Sequence, residues 1–183
     1  MQKKAIFNEE LNQVNFLDER FYQAGTDKEG NIIYYPSVTH ILDIYPKGPA
    51  FTQWLKDVGN QAKVIADRAA EAGNKVHNGI EEILAGHTLA WDGLNYDLNE
   101  WQGLCRFIDF MKQAKPEILA FEVNVFSHIW QYAGTTDLIC KIGGETWLID
   151  YKFGNAIYPT YFQQVIAYRE AAQEMNEELT IDR

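Results

Sequence analysis

The chain has 183 residues, 46% of them hydrophobic and 23% charged, with 16 Lys and Arg against 26 Asp and Glu and a net charge of −10. This composition belongs to a globular protein and excludes disordered, collagenous and fibrous classes. A chain of this size buries roughly 70% of its unfolded surface, enough to stay folded without disulfides or a structural metal. Its two cysteines, Cys105 and Cys140, cannot supply a four-thiolate zinc or iron–sulfur site, and they fit a reducing compartment. No stretch approaches the roughly 18 apolar residues of a membrane span, and the N-terminus lacks a secretory apolar core, so the sequence reads as cytosolic.

The expected organisation is a single domain with three regions: an N-terminal hairpin (1–35), a mainly helical stretch (36–115) and a sheet-rich core (116–183). Strand-like runs over Arg20–Gln23 and Asn31–Tyr35 flank the turn-rich segment Gly25–Gly30. Ser37 supplies a helix N-cap ahead of a run stopped by Pro46. Helical periodicity then covers Pro49–Ala85, with breaks or bends expected near Gly59 and Gly73, and a second helix spans Asn99–Lys115. Ile118–Phe126, Tyr132–Ile142 and Thr146–Lys152 read as strands, and Tyr158–Gln173 as a last helix. Strands bounded by helices in sequence predict an α/β fold with a mixed sheet covered on both faces.

Gly143-Gly144 is a two-residue hairpin signal, because such turns need positive φ at both positions. If Ile142 pairs with Glu145, then Leu138 faces Ile149 and Asp137 faces Asp150. Strand alternation would project Thr135, Asp137, Asp150 and Lys152 from one face. Opposed carboxylates repel unless a positive charge lies between them. A divalent cation resolves the repulsion, oxygen ligands suit Mg²⁺, and Lys152 could neutralise the pair or orient or deprotonate a metal-bound water. A structural carboxylate–lysine cluster is the alternative.

Three other groups have two readings each. His77, at the expected start of a helix and with Glu81 four residues on, is either an additional metal ligand with a supporting carboxylate or an ordinary helix-surface pair. Gln164 and Tyr168 either present an amide and a phenol to a phosphate or base, or Tyr168 is core and Gln164 exposed. Segment 47–77 carries five basic residues, Lys47, Lys56, Lys63, Arg68 and Lys75, against three acidic ones. It is either a patch that meets an anionic substrate or a solvated helix face.

In order along the chain, Pro36-Ser37-Val38-Thr39, Trp54, Gly73 to His77, Gly134-Thr135-Thr136-Asp137, Ile149-Asp150-Tyr151-Lys152 and Gln164 to Tyr168 resemble the PD-(D/E)xK nuclease superfamily, in its RecB-like, phage-type exonuclease branch. The resemblance implies a restriction-endonuclease-like core, with a mixed central β-sheet flanked by helices, truncated at Arg183. It implies that His77, Asp137, Asp150 and the Tyr151 carbonyl hold Mg²⁺ or Mn²⁺ and that Lys152 is the catalytic lysine. Glu81 and Glu122 support the site, and Gln164 and Tyr168 position substrate. The implied activity is DNA hydrolysis from a free end in phage or prophage recombination and repair, beside a recombination partner protein, without an iron–sulfur cluster or a membrane. Lys56, Lys63, Arg68 and Lys75 are the expected DNA entrance. The rivals are an inactive nucleic-acid-binding or assembly module and a metal hydrolase of small phosphate esters.

Overall fold

Alternating side chains over the first described residues build a three-stranded antiparallel sheet in the order β1 (Asn12–Phe16), β2 (Glu19–Thr26), β3 (Ile32–Pro36). A computed structural model describes residues 12–16 and 19–183; residues 1–11 and 17–18 of the expected hairpin region lie outside the described residues. The β2–β3 turn is fixed by Asp27, whose Oδ1 accepts from the backbone N–H groups of Glu29 and Asn31, both at 2.8 Å. The expected hairpin is present, and β1 extends it by a strand. Ser37 caps α1 (Val38–Asp43), its Oγ accepting from the His40 N–H at 3.0 Å.

The helical region contains α2 (Pro49–Val58), a 3₁₀ turn (Gly59–Gln61), α3 (Ala62–Leu84) and α4 (Leu98–Ala114). Gly59 breaks the helix as expected, with φ 54°. Gly73 makes no break: α3 runs through it, because one glycine costs about 1 kcal/mol while its neighbours keep their hydrogen bonds. His77 therefore sits deep within a 23-residue helix, not at the start of one. Asp97 and Glu100 form a reciprocal capping box that starts α4.

The second sheet has the order β4 (Glu117–Ser127), β5 (Tyr132–Ile142), β6 (Glu145–Ile149), followed by α5 (Pro159–Met175). Gly143 and Gly144 adopt φ 61° and 92°, and β5 pairs with β6 from Ile142↔Glu145 to Leu138↔Ile149 in the expected register. The third strand ends at Ile149, three residues before the expected Lys152. Every ladder between these strands is antiparallel, which corrects the expected mixed sheet. The reason is connection length: short hairpin loops allow only antiparallel pairing, and a parallel neighbour needs a long crossover. Among the described residues, parallel bonding is confined to the Ser37↔Ala133 bridge and to Arg183. The Arg183 N–H donates to Thr146 O (3.2 Å), and Arg183 O accepts from the Leu148 N–H (2.9 Å) after the crossover through α5.

The chain divides into two compact units. One comprises Pro46–Lys115 and Tyr151–Ile157, and the other the described residues up to Tyr45, Pro116–Asp150 and Tyr158–Arg183. In the second unit α5 lies on the β4–β6 sheet: Tyr168, Ala171 and Ala172 join Ala120, Val125, Ile139 and Leu148 in one buried cluster. Tyr22, Ala24 and Tyr35 of the first sheet form another with Phe126 and Ala133. Charge is divided unequally. Segments 3–45, 116–150 and 158–183 carry 17 Asp and Glu against 7 Lys and Arg, the whole net charge of −10, whereas 46–115 and 151–157 carry nine of each. No helix among the described residues is long and apolar enough to cross a membrane.

Candidate functional site

The β5–β6 ladder stops at Leu138↔Ile149, so Asp137 and Asp150 are the next residues on either side, one step past the last ladder pair. Across the other edge of β5, Phe121 pairs with Leu138 and Val123 with Thr136. The intervening pair, Glu122 with Asp137, is missing from the ladder, and Glu122 has φ 49°. A left-handed backbone at a residue with a Cβ costs roughly 1–2 kcal/mol and marks a local functional or structural demand. Its effect is to reset strand alternation. Ala120 and Val125 of β4, and Gly134 and Ile139 of β5, all turn toward α5, although five positions separate the members of each pair. The expectation of one unbroken face from Thr135 to Lys152 is thereby corrected: the alternation is interrupted at Glu122 and Asp137, and Lys152 lies beyond β6.

The outcome is that three acidic residues occupy neighbouring positions in a row across the sheet: Glu122 on β4, Asp137 on β5 and Asp150 just past β6. A carboxylate oxygen of Glu122 lies within 4.8 Å of one of Asp137, and Asp137 is only 7% exposed. Glu122 is thus a full member of the row, not a distant support.

Helix α5 braces one end of it. Both hydrogens of the Gln164 amide are used, one to Asp150 Oδ1 at 3.2 Å and one to the Tyr168 hydroxyl oxygen at 2.9 Å, which fixes the amide's orientation. Gln164 and Tyr168 are both buried, so these two expected substrate contacts face the protein interior and act on Asp150 and on each other. Burial, and then the charges of Asp150 and Asp137, push the Tyr168 hydroxyl far above the ordinary phenol range, and it stays protonated. Its ring lies directly on Gly134: a Cβ there would be 2.2 Å from Tyr168 Cε1. The glycine of Gly134-Thr135-Thr136-Asp137 is therefore a seat for an aromatic ring.

The other side of the strand holds a network that the sequence does not announce. Thr135 pairs with Asn124 in the ladder, and its hydroxyl donates to Asn124 Oδ1 at 2.9 Å. Since that hydroxyl has one hydrogen, the bond of 2.9 Å between it and Tyr22 must be donated by the tyrosine. Tyr22 is fully buried.

In the helical unit, His77 Nε2 donates to the Tyr151 carbonyl at 2.9 Å, so two residues expected as metal ligands bond each other. Tyr151 also meets the edges of the His77 and Phe107 rings. Glu81 follows one turn after His77 on α3. Lys152 is half-buried. The basic residues do not form one patch. Lys63, Asp67, Glu71 and Lys75 succeed one another at i, i+4 along α3, a ridge of mixed sign, and Arg68 lies off it. Lys75 is drawn to the buried Glu100 carboxylate at 3.7 Å. Lys56, Lys63 and Arg68 are exposed.

The pairing of Glu122 with Asp137 was accessible from sequence. The β4–β5 connection at 128–131 sets that register as Gly143-Gly144 sets the next, with Ser127 opposite Tyr132. The left-handed backbone at Glu122 and the Tyr22 contact, 113 residues away from Thr135, have no local signal. No family model and no curated protein matches this chain.

Proposed function

We propose that the protein is a metal-dependent nuclease built on a restriction-endonuclease-like core, acting on DNA from a free end. The observation that supports this most is the carboxylate row Glu122–Asp137–Asp150, with Asp137 buried and Asp150 braced by Gln164. Neighbouring like charges, one of them buried, favour a bound cation, and a set of hard oxygen donors suits Mg²⁺ or Mn²⁺ over softer metals. When bound, such an ion supplies Lewis acidity for water activation and for charge on the phosphodiester. Asp137 and Asp150 provide its anionic ligands and Glu122 enlarges the negative field. The same reading assigns His77 and the Tyr151 carbonyl as further ligands and Lys152 as the catalytic lysine. Gln164 and Tyr168 hold Asp150 in one orientation, and the exposed Lys56, Lys63 and Arg68 receive the DNA.

A second reading, hydrolysis of small phosphate esters, draws support from the charge. The segments that carry the row bear the entire −10, which repels a polyanion more than a small ester. One experiment separates the two. Labelled linear DNA, covalently closed circular DNA of the same sequence and bis(p-nitrophenyl) phosphate are incubated with wild type and Asp150→Asn in Mn²⁺ or EDTA at low salt. The exonuclease reading expects Mn²⁺-dependent loss of linear DNA much faster than circular, abolished by Asp150→Asn. Equal rates on both DNAs overturn the free-end requirement, and turnover of the small ester alone selects the second reading.

A further inference from the structure

We propose that Tyr22, on the N-terminal sheet, is a positioning residue for the carboxylate row, acting through Thr135 and Asn124. This inference rests on the metal reading above. Thr135 stands two residues before Asp137, and Asn124 two residues after Glu122. The two face each other in the last ladder pair but one before the Glu122–Asp137 gap. At the gap the ladder gives no register to the acidic pair, so what holds the strands on either side contributes to their positions. On the β6 side the brace is the Phe121↔Leu138 and Leu138↔Ile149 pairing. On the side of the loop at 128–131 it is the Val123↔Thr136 and Asn124↔Thr135 pairing, to which the Thr135–Asn124 side-chain bond adds a second tie, and Tyr22 fixes the orientation of the Thr135 hydroxyl in that bond.

The direction of donation makes the phenol consequential. Thr135 commits its hydrogen to Asn124, and a hydroxyl can rotate; accepting from Tyr22 removes that freedom. Tyr22 itself cannot move, since its ring is fully buried among Ala24, Tyr35, Phe126 and Ala133. The phenol thus ties the N-terminal sheet to the strands that present Glu122 and Asp137. Groups behind metal ligands characteristically set affinity by orienting them, typically by 10–100-fold.

The test is Mn²⁺ titration calorimetry and the electron paramagnetic resonance line shape of bound Mn²⁺ on the full chain, for wild type, Tyr22→Phe, Thr135→Val and Thr135→Ser. Melting in EDTA reports folding separately. Tyr22→Phe and Thr135→Val should each weaken Mn²⁺ binding about tenfold and broaden the spectrum, while Thr135→Ser, which keeps the hydroxyl, binds as wild type. Wild-type affinity and line shape in both Tyr22→Phe and Thr135→Val would overturn the proposal with the metal site intact. Absence of Mn²⁺ binding by wild type would instead overturn the metal reading beneath it. If Tyr22→Phe does not fold, the valine–serine contrast at Thr135 decides.

Discussion

Gly134 and Gly73 receive the same substitution with opposite expected results. An alanine methyl at Gly134 would lie 2.2, 2.9 and 3.1 Å from three carbons of the Tyr168 ring, against about 3.5–4 Å for a relaxed carbon contact. The ring would have to withdraw by more than about 1 Å, and it is only 3% exposed, with Ala171, Ala172 and Ile139 in its cluster. Overpacking of this kind costs about 1–3 kcal/mol, and displacing the phenol from Gln164 adds roughly 1 kcal/mol. The reduced freedom of the unfolded chain returns about 0.4–1 kcal/mol. Gly134→Ala should therefore destabilise by about 2 kcal/mol, a drop of about 4–8 °C in melting temperature for a chain of this length. At Gly73 a methyl meets nothing within 4 Å and lies inside a helix, so Gly73→Ala should raise the melting temperature by about 1–4 °C. Thermal melts followed by circular dichroism in EDTA measure both. In a Tyr168→Ala background the penalty at Gly134 should vanish. A Gly134→Ala protein as stable as wild type, or equally damaged with and without the Tyr168 ring, would refute the reasoning.

Glu122→Gly should be more stable than Glu122→Ala by about 1 kcal/mol in EDTA, because only glycine adopts the left-handed backbone without strain; equal melting temperatures would argue against that conformation. Gln164→Leu removes both amide donors and should lower Mn²⁺ affinity by about tenfold with α5 still folded, as read by calorimetry and circular dichroism. Cys105 is exposed, whereas Cys140 is buried and its thiol is pushed up to about 11 by burial. Ellman's reagent at pH 8 should therefore titrate one thiol in native protein and two in guanidinium. The ionisation also sets a sign: stability contributed by the neutral Cys140 thiol is present below its unfolded value of 9.0 and is lost as pH rises toward about 11. Cys140→Ala should lose less stability than wild type across that window.

The register of β5 on β6 was legible because a Gly-Gly turn leaves one solution, and that register alone brings Asp137 and Asp150 to adjacent positions. Ser37 as a cap and Gly59 as a break were legible for the same reason, each being a local demand met by one residue type. Gly73 misled because propensity is a small cost that a long helix absorbs, and this moved His77 from a helix start to its interior. The extension of β6 to Lys152 misled because the alternation of polar and aromatic residues, Asp150-Tyr151-Lys152-Phe153, continues past the point where the ladder ends. The Tyr22–Thr135 contact and the ring seated on Gly134 are products of tertiary packing, with partners dozens of residues away, and nothing at their own positions signals them.

The second unit is assembled from three stretches of chain, and this sets a timetable for synthesis. The Ser37↔Ala133 bridge and the Tyr22–Thr135 bond join residues about a hundred positions apart, and the buried Ile181 completes the α5 cluster. At about 5–20 residues per second, the ribosome takes on the order of 10–30 s to deliver Ile181 after β3 has been made. Through that interval the N-terminal sheet, with Tyr22 and Tyr35 uncovered, waits for the strands that will bury them. Such long-range closure makes for slow folding. The nascent hairpin is accordingly the segment most in need of chaperone cover.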